Sequence, residues 1–378
     1  MFPLARQRLR SEDAAPQTVA RRFPEEGPRA PTVAGRRVLS GGRSRRLGVI
    51  AALAGALAAS GASEAGAVTR PLGSGDVQAG PALAGNLVLH AQRRGPGAVI
   101  LATPAANTGA QRTLTVRVPG PGEVSVGVGQ LGASARAFAF SEAGTTDFGT
   151  FSGSGTFGAL IGDEPAVLDR CGSGLVPGVE GDRVAAGQCE GARLTVLGPS
   201  RETRELAPPP ARTPKVAGDV ASWLEGTQDR PLIVVRDLVR NVELYRTPRQ
   251  AGRIQEYDLQ ADGTVVASVA TLVPRPRGFA DSHTTVRMFT IARRTGRRLP
   301  LAARAHYDVR IESGRVAVLR RSEGRLGGQV LIGTPRGRFH YVVRRRIVLG
   351  FDLDATRLAW IDSRNGNARL RVVSAGGS

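Results

Sequence analysis

Lysine is almost missing from this chain. Of 52 basic residues only Lys215 is a lysine, and the other 51 are arginines. With abundant alanine, glycine and proline, this reads as a GC-rich coding bias rather than a patterned basic face. Histidine is scarce and scattered: His90, His283, His306 and His340. The two cysteines, Cys171 and Cys189, lie far from them, so no cluster has metal-site spacing and neither metal nor cofactor is expected. Aromatics make up 4% of the residues, which argues against a sugar-stacking surface. Trp223 and Trp360 sit at equivalent places in two repeats and are expected to pack the core. No G-x-S-x-G elbow occurs, which argues against an attached peptidase or esterase. No catalytic residue is assigned.

The charge is of largely one sign. The formal net charge is +20. Residues 1–67 hold 11 arginines and 5 acidic residues, so the remainder keeps 41 basic and 27 acidic residues, net +14. That excess attracts anionic polymers, but the arginines are spread out rather than clustered. Glycine is plentiful at 49 residues, which suits a fold with many turns.

The one long uncharged apolar run is LGVIAALAGALAA, residues 47–59. It is too short and too rich in alanine for a stable membrane span. It is apolar all round, which speaks against an amphipathic surface helix. Arg43, Arg45 and Arg46 precede it, and Ala65-Gly66-Ala67 follows, just before Val68. A basic start, an apolar middle and an A-x-A site describe a secretory signal peptide. Ser44-Arg45-Arg46-Leu47 also partly matches a twin-arginine signal. Residues 1–43 carry no periodicity and are expected to be disordered, or to precede the true start. The expected organisation is a leader at 1–43, a signal peptide at 44–67 and an exported domain at 68–378, secreted or held at the cell surface. In an oxidising compartment, Cys171 and Cys189 are expected to form a disulfide, with a pair of buried thiols as the alternative.

A recurring phrase organises that exported domain. A turn residue is followed by a polar residue and then a short apolar run, as in Gly85-Asn86-Leu87-Val88-Leu89 and Gly181-Asp182-Arg183-Val184-Ala185. Val88, Ala137, Val184, Val220, Val266, Val316 and Leu358 anchor seven copies, with spacings of 49, 47, 36, 46, 50 and 42. Such periods belong to propellers or solenoids, and a four-stranded blade takes about 40–50 residues. A solenoid needs capping units, and none is evident. A second, alternating phrase follows most anchors: Arg112–Val118, Ala192–Val196, Leu232–Arg236, Val286–Ile291 and Ala368–Val373. Turns such as Asn365-Gly366 would join the two phrases as hairpins. The expectation is an all-β propeller of seven four-stranded blades, with six or eight as alternatives. Residues 368–374 would close the ring by pairing with early residues such as Leu83–Leu89.

Ala261-Asp262-Gly263-Thr264-Val265-Val266-Ala267 resembles the repeat of the PD40 and TolB-like propellers, and Asp354-Ala355-Thr356-Arg357-Leu358-Ala359-Trp360 is a looser copy. Phe289–Leu299 is similar to that family's strand–turn–G-x-x-x-L phrase. The proline before Asp-Gly is missing, and the likeness is clearest in the C-terminal half. The resemblance implies a propeller, an extracytoplasmic setting and interaction work.

Three further motifs have a bland reading. Gly153–Gly158 matches G-x-G-x-x-G but lacks the strand-to-helix context of a dinucleotide site, and is taken as a flexible insertion in a blade. Arg344-Arg345-Arg346 is taken as a solvated inter-blade loop. Asp281, Asp308 and Asp352 could pair with a histidine across the channel, but such residues more often cap turns. The resulting expectation is a monomeric, non-enzymatic binding or scaffold propeller outside the cytoplasm, for an unidentified protein or surface partner. A channel-site lyase or hydrolase, and a basic module for anionic wall polymers or nucleic acid, are the alternatives.

Overall fold

The computed structural model describes residues 67–375, apart from 73–75, 107–108, 147–150, 172–175, 188, 274–280, 304, 322–327 and 365–366. The expected leader and signal peptide, and the Asn365-Gly366 turn, lie outside the described residues. The chain from Val68 onward forms seven antiparallel blades of four strands. From the channel outward, the first strands are Val77–Ala84, Ser125–Ala133, Gly178–Glu180, Arg212–Ala217, Arg253–Leu259 and His306–Glu312, followed in blade 7 by the second half of His340–Leu353. The second strands are Leu87–Arg94, Ala137–Thr145, Arg183–Ala186, Val220–Thr227, Val265–Val273, Arg315–Arg321 and Arg357–Arg364. All seven anchor residues fall on these second strands. The described residues hold no helix long and apolar enough to cross a membrane.

The second strand of a blade is covered on both faces by neighbouring blades. Its residues therefore read as unbroken apolar runs, as strands buried on two sides do. Val88, Val184, Val266, Val316 and Leu358 are fully buried. The core is a series of layers between blades. Leu89 and Ile100 of blade 1 pack on Phe138 and Phe140 of blade 2. Ile233 and Tyr245 of blade 4 pack on Tyr257 and Phe289 of blade 5. Both tryptophans are core residues as expected: Trp223 joins the layer between blades 3 and 4, and Trp360 that between blades 6 and 7. Each indole N–H donates to a carboxylate two residues on, Trp223 to Glu225 at 2.9 Å and Trp360 to Asp362 at 3.2 Å. Burying one large apolar side chain contributes roughly 1.5–3 kcal/mol, so these layers carry the fold.

The ring closes differently from the sequence expectation. Asn367–Ser374 pairs antiparallel with Val68–Pro71, from Val68 opposite Val372 to Pro71 opposite Arg369. Val68–Pro71 is therefore the outer strand of blade 7, and Leu83–Leu89 instead supplies the first hairpin of blade 1. Three smaller expectations are also corrected. Arg112–Arg117 is the outer strand of blade 1, whose third strand is Gly97–Pro104. Gly153–Gly158 lies within Phe151–Leu160, the third strand of blade 2, and is no insertion. Arg344-Arg345-Arg346 lies within the continuous strand His340–Leu353, which is the outer strand of blade 6 and then the inner strand of blade 7. The Arg344 guanidinium stacks 4.4 Å from the Tyr341 ring.

Cys171 and Cys189 are joined, with Cα atoms 6.0 Å apart, well within disulfide range. Cys171 follows the last strand of blade 2, and Cys189 lies between the second and third strands of blade 3. The bridge thus ties the connector leaving one blade to a loop of the next.

Candidate functional site

The innermost strands line a central channel, and their charged residues meet there. Lys215 of blade 4, Glu256 of blade 5, Arg310 of blade 6 and Asp352 of blade 7 form an alternating chain. Lys215 Nζ donates to the Val176 carbonyl at 2.5 Å and lies 4.0 Å from Glu256 Oε1. Arg310 Nη1 donates to Glu256 at 3.1 Å, and its Nε lies 3.4 Å from Asp352 Oδ1. Asp352 Oδ2 accepts the Leu83 backbone N–H of blade 1 at 2.8 Å. Gln78 Oε1 of blade 1 accepts the Val128 N–H of blade 2 at 3.1 Å. On the rim, Ser134 of blade 2 donates to the Gly181 carbonyl of blade 3 at 2.5 Å. Polar contacts thus join each blade to the next in a circuit of the ring, blade 7 to blade 1 included.

Two glycines allow the inner strands this close approach. A Cβ on Gly178 would lie 2.7 Å from Lys215 Cα, and one on Gly350 would run into the Gly80 carbonyl. Any larger residue at either place would push neighbouring blades apart.

The charges in the circuit are deeply desolvated: the Lys215 and Glu256 side chains are 5% and 9% exposed. Burial lowers the Lys215 pKa, opposed by Glu256, Asp258 and Asp352. Burial raises that of Glu256, against the pull of Arg310 and Lys215. Asp352 is pushed up to about 6 by burial, although Arg310 and the Leu83 N–H favour its charged form. Burial also works against the charge of Arg310, but Glu256, Asp258 and Asp352 outweigh it and hold its pKa above the ordinary value. Arg310 is the fixed charge of the circuit, whereas burial works against the charged form of the other three.

The circuit lies between two cavities. The larger, about 540 Å³, lies toward the turns that join first and second strands, and the smaller is about 270 Å³. Val176 and Arg310 line both, Lys215 lines the larger, and Glu256 the smaller. Glu180, Asp258, Glu312, Asp352 and Asp354 line the larger cavity, against only Arg136, Lys215 and Arg310. An excess of carboxylate in so basic a chain is a local inversion of its charge. Asp258 accepts the Ile311 N–H at 2.9 Å, and Glu312 accepts from Ser313 Oγ at 3.2 Å and from the Ser313 backbone. Burial raises the pKa of Glu312, with Asp258 and Glu180 adding to the rise.

Around the rim of this cavity a second device recurs. The residue just before an anchor is arginine in four blades, and it reaches the turn of the next blade. Arg136 Nη1 lies 3.9 Å from Asp182, and Arg183 Nη2 donates to the Gly218 carbonyl at 2.7 Å. Arg315 Nη1 donates to the Ala355 carbonyl at 3.4 Å, and Arg357 to that of Gly85 across the seam.

No described histidine lines either cavity. His306 is exposed, with Nδ1 2.6 Å from Gln255 Nε2, and His90 is buried inside blade 1. His340 is exposed and His283 half-buried on the third strand of blade 5. Asp308 is held by exposed Arg321 at 3.0 Å, and the side chain of Asp281 lies outside the described residues. The His–carboxylate pair considered from the sequence is therefore not formed among the described residues. Sequence reasoning named Asp352 but missed Glu256 and Arg310, and saw Lys215 only as a compositional oddity. The signal was present, because a charged residue precedes each of the last four anchors by 5 to 10 positions, alternating in sign.

No family model matches the chain, and no curated protein matches it. Solved structures share the fold. The chain is similar to the WD40 domain of Neurospora crassa Pan2, at 12% identity and a TM-score of 0.50, covering 83% of this chain and 97% of that one. It is equally similar to the β-propeller domain of the Trilobed protease from Pyrococcus furiosus, at 10% identity and a TM-score of 0.50, covering 80% and 94%. That propeller is described as having an open velcro topology, whereas here an N-terminal strand completes the last blade.

Proposed function

We propose that this protein is an exported, non-enzymatic binding or scaffold propeller whose ligand docks in the larger end of the central channel. The observation that carries this reading is the cavity of about 540 Å³, walled by all seven blades and lined by desolvated charged groups. Concave sites of a few hundred cubic ångströms with a few convergent polar groups are where proteins take ligands. The secretory signature before Val68, the disulfide and the PD40/TolB-like phrase at Ala261–Ala267 support a place outside the cytoplasm. The carboxylate excess in the cavity argues that an anionic wall polymer or nucleic acid would not enter it.

Ala135 and Ala355 are exposed turn residues on the rim of this cavity. Tryptophan at both would plug it without touching the circuit. The tagged chain is incubated with the host's extracytoplasmic fraction, and retained species are identified by mass spectrometry. The expected result is a species held by the wild type and lost from A135W/A355W. Equal retention by both proteins would refute docking in the channel, and turnover of a captured species would favour the lyase or hydrolase alternative.

A further inference from the structure

We infer that Lys215 is a carbonyl-capturing site, its amine forming a reversible imine with a small neutral aldehyde or ketone that enters the larger cavity. This rests on the proposal that the channel is the ligand site, and it names the chemical class that site would take.

Four observations converge on this residue. It is the one lysine among 52 basic residues, so a nitrogen that can lose its proton is kept where arginine is otherwise used throughout. It is among the most buried charged side chains of the channel and lines the cavity of about 540 Å³. Its hydrogen-bonding is incomplete. An ammonium has three N–H donors, but among the described residues Nζ makes one hydrogen bond, to the Val176 carbonyl; Glu256 at 4.0 Å is beyond hydrogen-bond length, and the Tyr257 ring centre lies 6.0 Å away. Two donors of an ammonium are thus left without a hydrogen bond, a cost that loss of the proton would reduce while freeing the lone pair. Finally, burial lowers its pKa, the usual way in which a lysine becomes a nucleophile near neutral pH.

The cavity walls define the ligand further. With five carboxylic groups against the two arginines Arg136 and Arg310, they disfavour an anionic carbonyl compound. They accept hydrogen bonds readily, so hydroxyl groups on the ligand would be held.

The reaction is balanced without a redox partner. The Nζ lone pair attacks the carbonyl carbon, the C–N bond forms and the C=O π electrons move to oxygen. A proton passes from nitrogen to that oxygen, giving a carbinolamine. A carboxyl group on the same cavity, with Asp352 the closest fit at a pKa of about 6, supplies a proton to the leaving oxygen. The C–O bond breaks, water departs and the C=N bond forms as a protonated imine, whose N–H proton returns to the carboxylate. Hydrolysis reverses each step, so the event is capture rather than turnover.

The test uses the full chain, glyceraldehyde as the neutral probe, glyoxylate as its anionic counterpart, and sodium cyanoborohydride to fix any imine as a secondary amine. Apart from the N-terminus, Lys215 is the single primary amine in the sequence, so peptide mapping by mass spectrometry assigns each adduct without ambiguity. The same labelling of the urea-unfolded chain gives the rate of an ordinary lysine. The expected result is labelling of Lys215 by glyceraldehyde at least tenfold faster in the folded chain at neutral pH, with glyoxylate slower than glyceraldehyde. K215R, whose guanidinium forms no imine, should retain only the N-terminal adduct. A folded-state rate less than tenfold above the unfolded one would overturn the inference, as would faster labelling by glyoxylate. Because the comparison is made within the wild-type chain, it does not depend on a variant folding. A failed labelling test beside retained capture by the unplugged channel would overturn the lysine chemistry alone.

Discussion

The clearest consequence for stability comes from His90. It is fully buried on the second strand of blade 1. Its Nε2 lies 3.2 Å from Gln111 Nε2 and 3.4 Å from Gln92 Nε2. Those amides also donate to Thr103 Oγ1 and the Leu72 carbonyl, so both nitrogens carry N–H groups and Nε2 must accept. A protonated ring would turn a donor toward two donors. Burial lowers the pKa from 6.5 to about 4. Between those values the unfolded chain holds a proton that the folded chain does not, so stability falls as the pH drops. A shift of this size is worth about 3 kcal/mol in full, with a steepest slope of about 1.4 kcal/mol per pH unit. Glu256 and Asp352, with raised pKa values, act in the opposite sense, and folding gains from them as they take up protons on acidification. The wild-type curve alone therefore mixes the two effects, and the difference between wild type and H90Q separates them. Urea-unfolding free energies at pH 7, 6, 5 and 4 should show the wild type losing about 3 kcal/mol relative to H90Q across the range. H90L should give the same relative loss, because it too lacks the titrating ring. Parallel curves for all three proteins would refute a neutral buried imidazole at this position.

Two further outcomes test the channel circuit and the bridge. R310M leaves Asp352 buried without its cation and Glu256 with only Lys215 at 4.0 Å among the described residues, and should cost roughly 3–5 kcal/mol in urea unfolding, while R310M/E256Q/D352N should recover most of the loss. C171S/C189S opens a loop with a sequence separation of 18, and should lower stability by about 3 kcal/mol relative to the oxidised protein. Reduction of the wild type should reproduce that loss, and a Tm unchanged by reductant would argue against the bridge.

What could be read in advance follows from which surfaces each strand buries. Second strands, covered on both faces, repeat as apolar runs, so Val88 through Leu358 marked all seven blades. Outer strands are exposed on one face and alternate, which is why Arg112–Val118 stands out in the sequence as the phrase after the first anchor although Arg112–Arg117 is an outer strand. The true third strand, Gly97–Pro104, is almost wholly buried and shows no alternation. The closing strand Val68–Pro71 is four residues long and ends in proline, too little pattern to compete with the longer apolar stretch at Leu83–Leu89. That stretch contains Gly85, at a φ of +58°, and Asn86, the hairpin turn that keeps it within blade 1.

The inner strands were the least legible, and they carry the site. A strand facing a channel has no single apolar partner, so its sequence need not repeat. Its charged residues are satisfied by side chains 40 to 55 positions away on neighbouring blades, as Lys215, Glu256, Arg310 and Asp352 are. Composition holds one trace of this. Where nearly every basic position is arginine, a buried lysine marks a place at which a fixed charge would not serve. Arginine holds its proton at any ordinary pH, and Arg310 fills that role between Glu256 and Asp352. Lys215, two blades away, is bonded to the Val176 carbonyl and lines the larger cavity, where its amine, unlike a guanidinium, has a proton it can lose.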